Sequence, residues 1–185
     1  TIEKDWRSYV VNALYFKGAW AKKFETKSTK TEDFAGVTGN RKVPMMYNYG
    51  KYNYCEYGGF EAIELPYGNG DYSMTVMMSK SKDRLSPEIM NYITSSMTMI
   101  PLTLGLPKFE TETDISEFPI SSAKFDSFRH VAKINVDEEG AEAAAVTVIG
   151  FGSAEFPKGL VFNQPFYYVI TQKTTGIILL VGYYC

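Results

Sequence analysis

Apolar and polar residues alternate along most of this chain, and the pattern predicts a protein built mainly of β-strands. Side chains on a strand point to opposite faces in turn, so a half-buried strand alternates with a period of two. Residues 8–16 are instead almost continuously apolar, which is typical of a strand buried on both faces. On the alternation we expect further strands over 43–57, 62–66, 72–78, 99–112, 128–136, 160–168 and 177–184.

Turn and cap residues divide these strands. Gly-Asn-Gly at 68–70 predicts a β-hairpin, and a polar turn at 172–176 joins the last two strands. Ser-Pro-Glu at 86–88 begins a helix that runs to about residue 95, because Ser caps a helix and Pro suits its first position. Residues 22–42 read as a long connection with short strands. The predicted fold class is therefore α+β, mostly β, with one helix.

Composition bounds the class of protein. The chain has 185 residues, of which 45% are hydrophobic and 22% charged, as in ordinary soluble domains, and we expect one domain over 1–185. With 19 basic and 21 acidic residues, the net charge of -2 gives no case for a nucleic-acid or membrane partner. Its apolar runs are too short to span a bilayer.

The chain offers little chemistry for catalysis or metal binding. Two cysteines, Cys55 and Cys185, do not make a disulfide framework, and we expect Cys55 to be a buried or half-buried thiol. A single histidine, His130, makes a zinc site implausible. A Ser-His-Asp triad needs a histidine that is positioned by a carboxylate, and no such constellation stands out. We therefore expect no enzymatic activity, no cofactor and no metal.

The run 136–148, Val-Asp-Glu-Glu-Gly-Ala-Glu-Ala-Ala-Ala-Val-Thr-Val, lacks the composition of an ordinary loop. On a strand, the face that carries Glu142 would tolerate a charge. The opposite face would carry small or apolar side chains: Ala141, Ala143, Ala145, Thr147 and Ile149. That pattern suits a segment that enters a sheet between existing strands. Because Ala and Glu are strong helix formers, composition alone leaves an alanine-rich helix as an equal alternative.

Several ordered motifs carry a resemblance to a known family. The longest is 11–20, Val-Asn-Ala-Leu-Tyr-Phe-Lys-Gly-Ala-Trp. Four shorter ones follow it: Val-Pro-Met-Met at 43–46, Glu-Leu-Pro-Tyr at 64–67, Leu-Pro-Lys-Phe at 106–109 and Asn-Gln-Pro-Phe at 163–166. With the 136–148 run, they resemble the serpins, the serine protease inhibitor family, in the family's order. Each motif is weak by itself, whereas the ordered set is specific.

The resemblance implies a serpin-like fold of mixed sheets with an exposed reactive-centre loop over 140–159. It covers the C-terminal half to two-thirds of the family pattern, because the N-terminal helical part is absent. The region 113–127 is also shorter than in the family. Either the chain is a fragment or the sequence omits parts of the protein. Since the missing part flanks the main sheet in the family, we do not expect this chain to fold independently.

The resemblance also assigns two residue pairs. Asn12 and His130 align with a pair that ties two neighbouring central strands, and we expect it to act as a latch on sheet opening. The alternative for His130 is an ordinary hydrogen-bonded core histidine, since a buried imidazole needs a partner. Glu138 and Lys108 align with a pair that meets beside Trp20, where the loop enters the sheet. We call these three residues the breach; the alternative is unrelated surface charges.

Family spacing from Gly140 onward places the reactive bond at Ala154–Glu155. A small side chain such as that of Ala154 suits a shallow, elastase-like primary pocket. Phe151 is the alternative if the register differs, for a chymotrypsin-like or papain-like protease, and Lys158 is a weaker option for a trypsin-like one. The hinge that the resemblance implies comprises Glu138, Glu139, Gly140, Ala141, Glu142, Ala143, Ala144, Ala145, Val146 and Thr147.

The implied function is suicide inhibition of serine endopeptidases, with papain-like cysteine endopeptidases as a second target class. The protease cleaves the loop and forms an acyl-enzyme, and the freed hinge then inserts into the sheet as a new strand. The expected partner is the target protease, and the intact protein is expected to be a secreted monomer. The alternatives are a non-inhibitory carrier, chaperone or storage protein of the same fold, or an inactive fragment. The alanine-rich hinge speaks against a non-inhibitory protein.

Overall fold

The computed structural model describes residues 9–16, 18–115, 127–139 and 158–185, and the side chains of these outside 9–15, 113–115 and 127–132. The described part is mostly β, with one α-helix, as predicted. Its elements are β1 (Tyr9–Phe16), a 3-10 turn (Thr26–Ser28), β2 (Lys30–Gly36), β3 (Gly39–Tyr57), β4 (Phe60–Tyr67), β5 (Tyr72–Ser79), α1 (Pro87–Ser95), β6 (Thr98–Pro107), β7 (Phe109–Ile115), β8 (Ser127–Val136), β9 (Lys158–Val161), β10 (Phe166–Gln172) and β11 (Ile177–Tyr184).

The described residues fall into two compact units. The first contains the described residues among 1–17 and 110–135, and its strands form a three-stranded sheet in the order β1-β8-β7. In it, β1 and β8 are parallel neighbours, and Asn12 stands opposite His130 in their register. The ammonium of Lys133 on β8 lies 2.5 Å from a carboxylate oxygen of Glu110 on β7.

The second unit, residues 18–109 and 136–185, is built on an eight-stranded sheet. Its strand order is β11-β10-β5-β4-β3-β6-β9, with β2 paired to β3. The long strand β3 pairs in turn with β2, β6 and β4, and thereby holds the sheet together. In the part of this sheet that the structure describes, β6 and β9 pair in parallel and all other neighbouring strands are antiparallel. Large side chains that are fully buried form the core: Phe34, Met45, Phe60, Met74, Met77, Leu102, Phe162, Phe166 and Tyr168.

The helix α1 forms as the sequence predicts. The hydroxyl of Ser86 accepts a hydrogen bond from the Ile89 amide at 3.3 Å, which caps the helix, and Pro87 occupies its first turn. Ile93 is buried against the sheet beside Cys55. The expectation for Cys55 is thereby confirmed: it is a free, buried thiol, whereas Cys185 is free and exposed.

The prediction of one strand over 99–112 is wrong. The structure has two strands there, β6 and β7, in different sheets, with Lys108 between them. Pro107 ends β6, and the Lys108 amide donates to the Pro44 carbonyl oxygen at 2.8 Å. The spacing of large buried side chains changes at the break: they occur at every second residue from Leu102 to Leu106, and the next one is Phe109, three positions later.

The prediction of one strand over 160–168 is also wrong. The structure ends β9 at Val161 and begins β10 at Phe166, in a distant part of the same sheet. Pro165 lacks an amide proton and cannot continue a ladder. The alternation misleads here because Phe162 and Phe166 are both fully buried on either side of the break.

Candidate functional site

Trp20 fixes the backbone that leads into the predicted hinge. Its ring is buried and stacks on Tyr67, with centroids 4.4 Å apart and planes at 12°. Phe24 meets its edge at 6.2 Å. The indole Nε1–H donates to the carbonyl oxygen of Asp137 at 2.9 Å. Because Tyr67 and Phe24 pack against the ring, the indole has a fixed position, and its hydrogen bond positions the backbone of Asp137, the residue before Glu138.

Glu138 is a buried carboxylate with a donor on each oxygen. Its side chain is 7% exposed, and Oε2 lies 2.6 Å from Nζ of Lys108. Thr29 donates its hydroxyl proton to Oε1 at 2.7 Å. Lys108 follows directly after β6 and Thr29 directly before β2, so neighbouring parts of the sheet converge on one carboxylate. The structure thus brings Trp20, Lys108 and Glu138 together.

The pKa of Glu138 reflects these contacts. Burial is the largest single influence, and it raises the pKa by disfavouring the charged form. The hydrogen bonds from Lys108 and Thr29, with a backbone hydrogen bond and the positive charge of Lys108, together outweigh burial, so the pKa lies below its ordinary value of 4.5. Glu138 is therefore ionised at neutral pH, and the pair with Lys108 is an ion pair. Thr29 is a part of this site that sequence reasoning missed, because no motif distinguishes it.

A second charged site, the Lys158 cluster, stands where the described chain resumes. It consists of Lys158 on β9, Tyr54 and Glu56 on β3, Glu61 on β4, and Lys80. The Lys158 ammonium lies 2.6 Å from Oε1 of Glu61, 3.5 Å from Oε2 of Glu56 and 4.1 Å from the centroid of the Tyr54 ring. It also donates a hydrogen bond to the Tyr54 hydroxyl. Sequence reasoning missed this cluster, since its members are far apart in the chain.

The remaining contacts connect all five members. The Tyr54 hydroxyl lies 2.8 Å from a carboxylate oxygen of Glu56 and 2.9 Å from one of Glu61, and its single proton can be donated to either. The ammonium of Lys80 lies 2.5 Å from Glu56. Hydrogen bonds from Lys80 and then Tyr54 lower the pKa of Glu56 to about 2. Desolvation, followed by the hydrogen bonds to both carboxylates, raises the pKa of Tyr54. At neutral pH the Glu56 carboxylate is therefore charged, and Tyr54 is a neutral phenol that can donate.

Several predicted site residues lie outside the described residues. These are Gly140, Ala141, Glu142, Ala143, Ala144, Ala145, Val146, Thr147, Phe151, Ala154 and Glu155. Glu139 is described and exposed, and its amide donates to Asp137 Oδ1 at 2.9 Å. Lys158 and Gly159, the last residues of the predicted loop, lie in β9. The contacts of Lys158 with Glu61 and Tyr54 disfavour it as the residue that enters a protease pocket.

Asn12 and His130 are placed by their backbones alone. They are partners in the parallel register of β1 and β8, so their Cα atoms stand opposite each other. Their side chains lie outside what the structure describes, and the latch stays a prediction. Among the described residues there is no cluster of three or more His, Cys, Asp or Glu that could hold a metal. In the same residues, every helix is too short or too polar to cross a membrane.

The family model for serpins (serine protease inhibitors) matches residues 1–120 and 112–185. The chain belongs to the serpin family. Antichymotrypsin-2 of Bombyx mori is 33% identical to it over 94% of this chain and 56% of its own length. Human Serpin B3 is 32% identical over 94% of this chain and 54% of its own. This serpin chain therefore spans about half the length of the curated relatives it matches.

Solved structures agree on the fold. Native protease nexin-1, crystallised with heparin, has a TM-score of 0.78 and 22% identity, covering 95% of this chain and 55% of its own. A tumour-suppressing serpin gives the same TM-score at 24% identity. The two matches to the family model overlap at residues 112–120. This overlap lies at the start of 113–127, the region that the sequence predicts to be shorter than in the family. The serpin-like mixed sheets expected from the motifs are confirmed.

Proposed function

We propose that this serpin inhibits serine endopeptidases by inserting its cleaved hinge between β1 and β8. Serpins are generally protease inhibitors. The observation that carries the proposal for this chain is the direct parallel pairing of β1 with β8, from Tyr9 opposite Ser127 to Phe16 opposite Ile134. Strands joined in this way leave room for a new strand only if they part by about 5 Å, the spacing of one ladder.

The strand directions favour insertion. The hinge follows the C-terminal end of β8, so a hinge that folds back would run antiparallel to both β8 and β1. One parallel ladder would then be replaced by two antiparallel ladders, which are slightly more stable per residue. Each inserted residue would gain hydrogen bonds worth roughly 1 kcal/mol net. The sheet is therefore more stable with the hinge inside than with it outside.

The side-chain pattern of the hinge fits this path. Ala143 and Ala145 share the face that would enter a packed core, where small side chains avoid the cost of overpacking. Glu142 belongs to the opposite face, where a charge can reach water. Asn12 and His130, opposite each other in the register, would be the pair that separates.

The chemistry divides into two steps. The catalytic serine of the protease attacks the carbonyl carbon of Ala154, and the amine of Glu155 leaves with the proton supplied by the protease. The resulting acyl-enzyme is tethered to the hinge. Insertion then carries the protease away and distorts its active site before water can hydrolyse the ester. Ala154 favours an elastase-like target, and Phe151 a chymotrypsin-like or papain-like one. Secretion and a monomeric state stay predictions of the family resemblance.

The test uses the intact protein and elastase-, chymotrypsin- and papain-like proteases. An SDS-resistant adduct is expected with at least one of them, and sequencing of the released peptide identifies the cleaved bond. Ala143→Glu should convert the inhibitor into a substrate, because a buried unpaired carboxylate opposes insertion. Ala144→Glu is the matched control, since it adds the same charge to the face that already carries Glu142.

Two results would contradict the proposal. One is an adduct of undiminished yield with Ala143→Glu. The other is cleavage of the wild-type loop by every protease with no adduct, which would favour a non-inhibitory serpin or an inactive fragment.

A further inference from the structure

We propose that Lys158 is a positioning residue that anchors the C-terminal end of the predicted reactive loop to β3 and β4. The proposal rests on the proposed function in one respect only: the purpose of the anchor is to hold the loop for a protease. The anchor itself is a statement about β9 and the Lys158 cluster.

The strand β9 needs such an anchor because its own pairing is slight. It has four residues and a ladder on one side, to β6, from Lys158 opposite Leu102 to Val161 opposite Gly105. Leu160 is its one buried residue, and Lys158 and Gly159 are exposed at its beginning. Short edge ladders of this kind open readily, and the opening would start at the end next to the predicted loop.

The side chain of Lys158 adds contacts that the short β9 ladder lacks. It passes beyond the neighbouring strand β6 to reach Tyr54 on β3 and Glu61 on β4. Glu61 is 14% exposed while Lys158 is 39% exposed, so the pair is partly shielded from water. The Tyr54 hydroxyl holds Glu61 in place by hydrogen bonding. One cation thus ties the first residue of β9 to two inner strands.

The anchor limits where the reactive bond can go. Lys158 is four positions after Ala154. An extended chain spans at most about 3.5 Å per position, so the bond stays within roughly 14 Å of the anchor. If β9 opened as far as Phe162, the tether would double in length and the accessible volume would grow roughly eightfold. A protease would then meet the bond in a usable position less often.

Hydrogen exchange measures the anchor without reference to inhibition. In Lys158→Glu, a third carboxylate would face Glu56 and Glu61, and we expect exchange at the amides of 159–162 to rise at least about tenfold. In Lys158→Met the exchange rate at these amides should rise about fivefold, because the stabilisation by a partly exposed ion pair corresponds to a factor of about that size. Lys158→Arg should return exchange to within about twofold of wild type, because the charge is kept.

Lys173 provides a matched control. It is 45% exposed and lies 2.7 Å from Glu64, another carboxylate of β4 that is 12% exposed, but this pair does not contact β9. Lys173→Glu therefore makes the same change of charge in a similar setting. Its exchange at 159–162 should equal that of wild type. Unchanged exchange in Lys158→Glu, or an equal rise in Lys173→Glu, would overturn the anchor.

Protease kinetics then test the positioning role. Lys158→Glu should lower the second-order rate of adduct formation about fivefold while the number of inhibitor molecules consumed per adduct stays constant, because the hinge is untouched. Raised exchange with an unchanged rate would overturn the positioning role. Failure of the wild type to form any adduct would instead refute the proposed function. Hydrogen exchange alone would then show whether Lys158 anchors β9.

Discussion

Glu138 and Lys158 stand on either side of residues 140–157, and each carries a charge held by the opposite charge, but their surroundings differ. Glu138 is buried, with one lysine and one threonine on its two oxygens. Lys158 is partly exposed and belongs to a five-membered cluster in which most members have more than one partner. The charged contacts before the predicted loop converge on one carboxylate, next to the hydrogen bond from Trp20 to Asp137, whereas those after the loop are distributed over several side chains.

The difference matches what the proposed mechanism requires. A hinge that inserts into a sheet must be free to move at its N-terminal side, and a single ion pair can be released in one event. The C-terminal side must stay in place while the bond is presented and cut. A ladder together with a charge cluster keeps β9 in place when a peripheral contact such as that of Lys80 is lost, as long as Lys158 itself remains. We therefore expect a large effect on the free energy of unfolding at Glu138 and a small one at Lys80, a peripheral member of the Lys158 cluster.

Replacing Glu138 should have the largest effect on stability. Glu138→Gln keeps the shape of the side chain but leaves the Lys108 ammonium without its counter-charge, and should cost about 1–3 kcal/mol. In a domain of about 150–250 residues each kcal/mol lowers Tm by roughly 2–4 °C, and by less in a longer protein. Thermal unfolding measures it. Glu139→Gln, at the exposed neighbour, is the control and should change little; equal losses in both variants would refute a concentrated hold.

Acid should remove the contribution of Glu138 to the free energy of unfolding. A carboxylate whose pKa is depressed in the folded state stabilises the protein above its unfolded pKa, and the benefit disappears as pH falls through the folded pKa. For Glu138 the loss of stability therefore begins as pH falls below about 4.5, the ordinary pKa of the side chain, and continues below that pH. The stability difference between wild type and Glu138→Gln should therefore be full at pH 7 and shrink towards pH 3. A difference that grows on acidification would contradict this ionisation.

Trp20→Phe should have a smaller effect, about 1 kcal/mol. Phenylalanine keeps the stacking on Tyr67 but cannot donate to the Asp137 carbonyl oxygen. Denaturant unfolding measures the loss. Combined with Glu138→Gln, the loss should be less than the sum, because both contacts hold the same two residues of backbone. Strict additivity would show that the two contacts act independently.

Lys80→Met should have the smallest effect, below about 0.5 kcal/mol. Lys80 lies 2.5 Å from Glu56, but Lys158 and Tyr54 still contact that carboxylate when Lys80 is gone. Unfolding in denaturant at low salt gives the value. A loss as large as that of Glu138→Gln would show that the Lys158 cluster is not distributed at all.

Local signals predicted many of the elements. Ser86 and Pro87 mark the start of α1, and Gly-Asn-Gly at 68–70 marks the hairpin of β4 and β5, because cap and turn residues act within a few positions of themselves. The errors at 99–112 and 160–168 came from alternation that continues across a change of strand. Period-two burial reports that a residue faces the core, but not which neighbouring strand it pairs with.

The candidate site likewise has one part that the sequence predicted and another that it did not. Trp20, Lys108 and Glu138 were proposed together through the family motifs, and the structure places them in one cluster. Thr29 and the Lys158 cluster had no such signal. Tyr54 and Lys158 are 104 positions apart, and a contact over that distance depends on the register of β3, β6 and β9 together. Alternation within a single strand cannot supply that register.

The proposed mechanism requires that the sheet of β1 and β8 gains stability when the hinge enters it. The most direct measurement is Tm of the intact protein before and after a protease nicks the loop near Ala154, with the protease removed. About ten inserted residues at roughly 1 kcal/mol each predict a rise in Tm of about 20 °C or more. A nicked protein that melts at the temperature of the uncut one would contradict the claim.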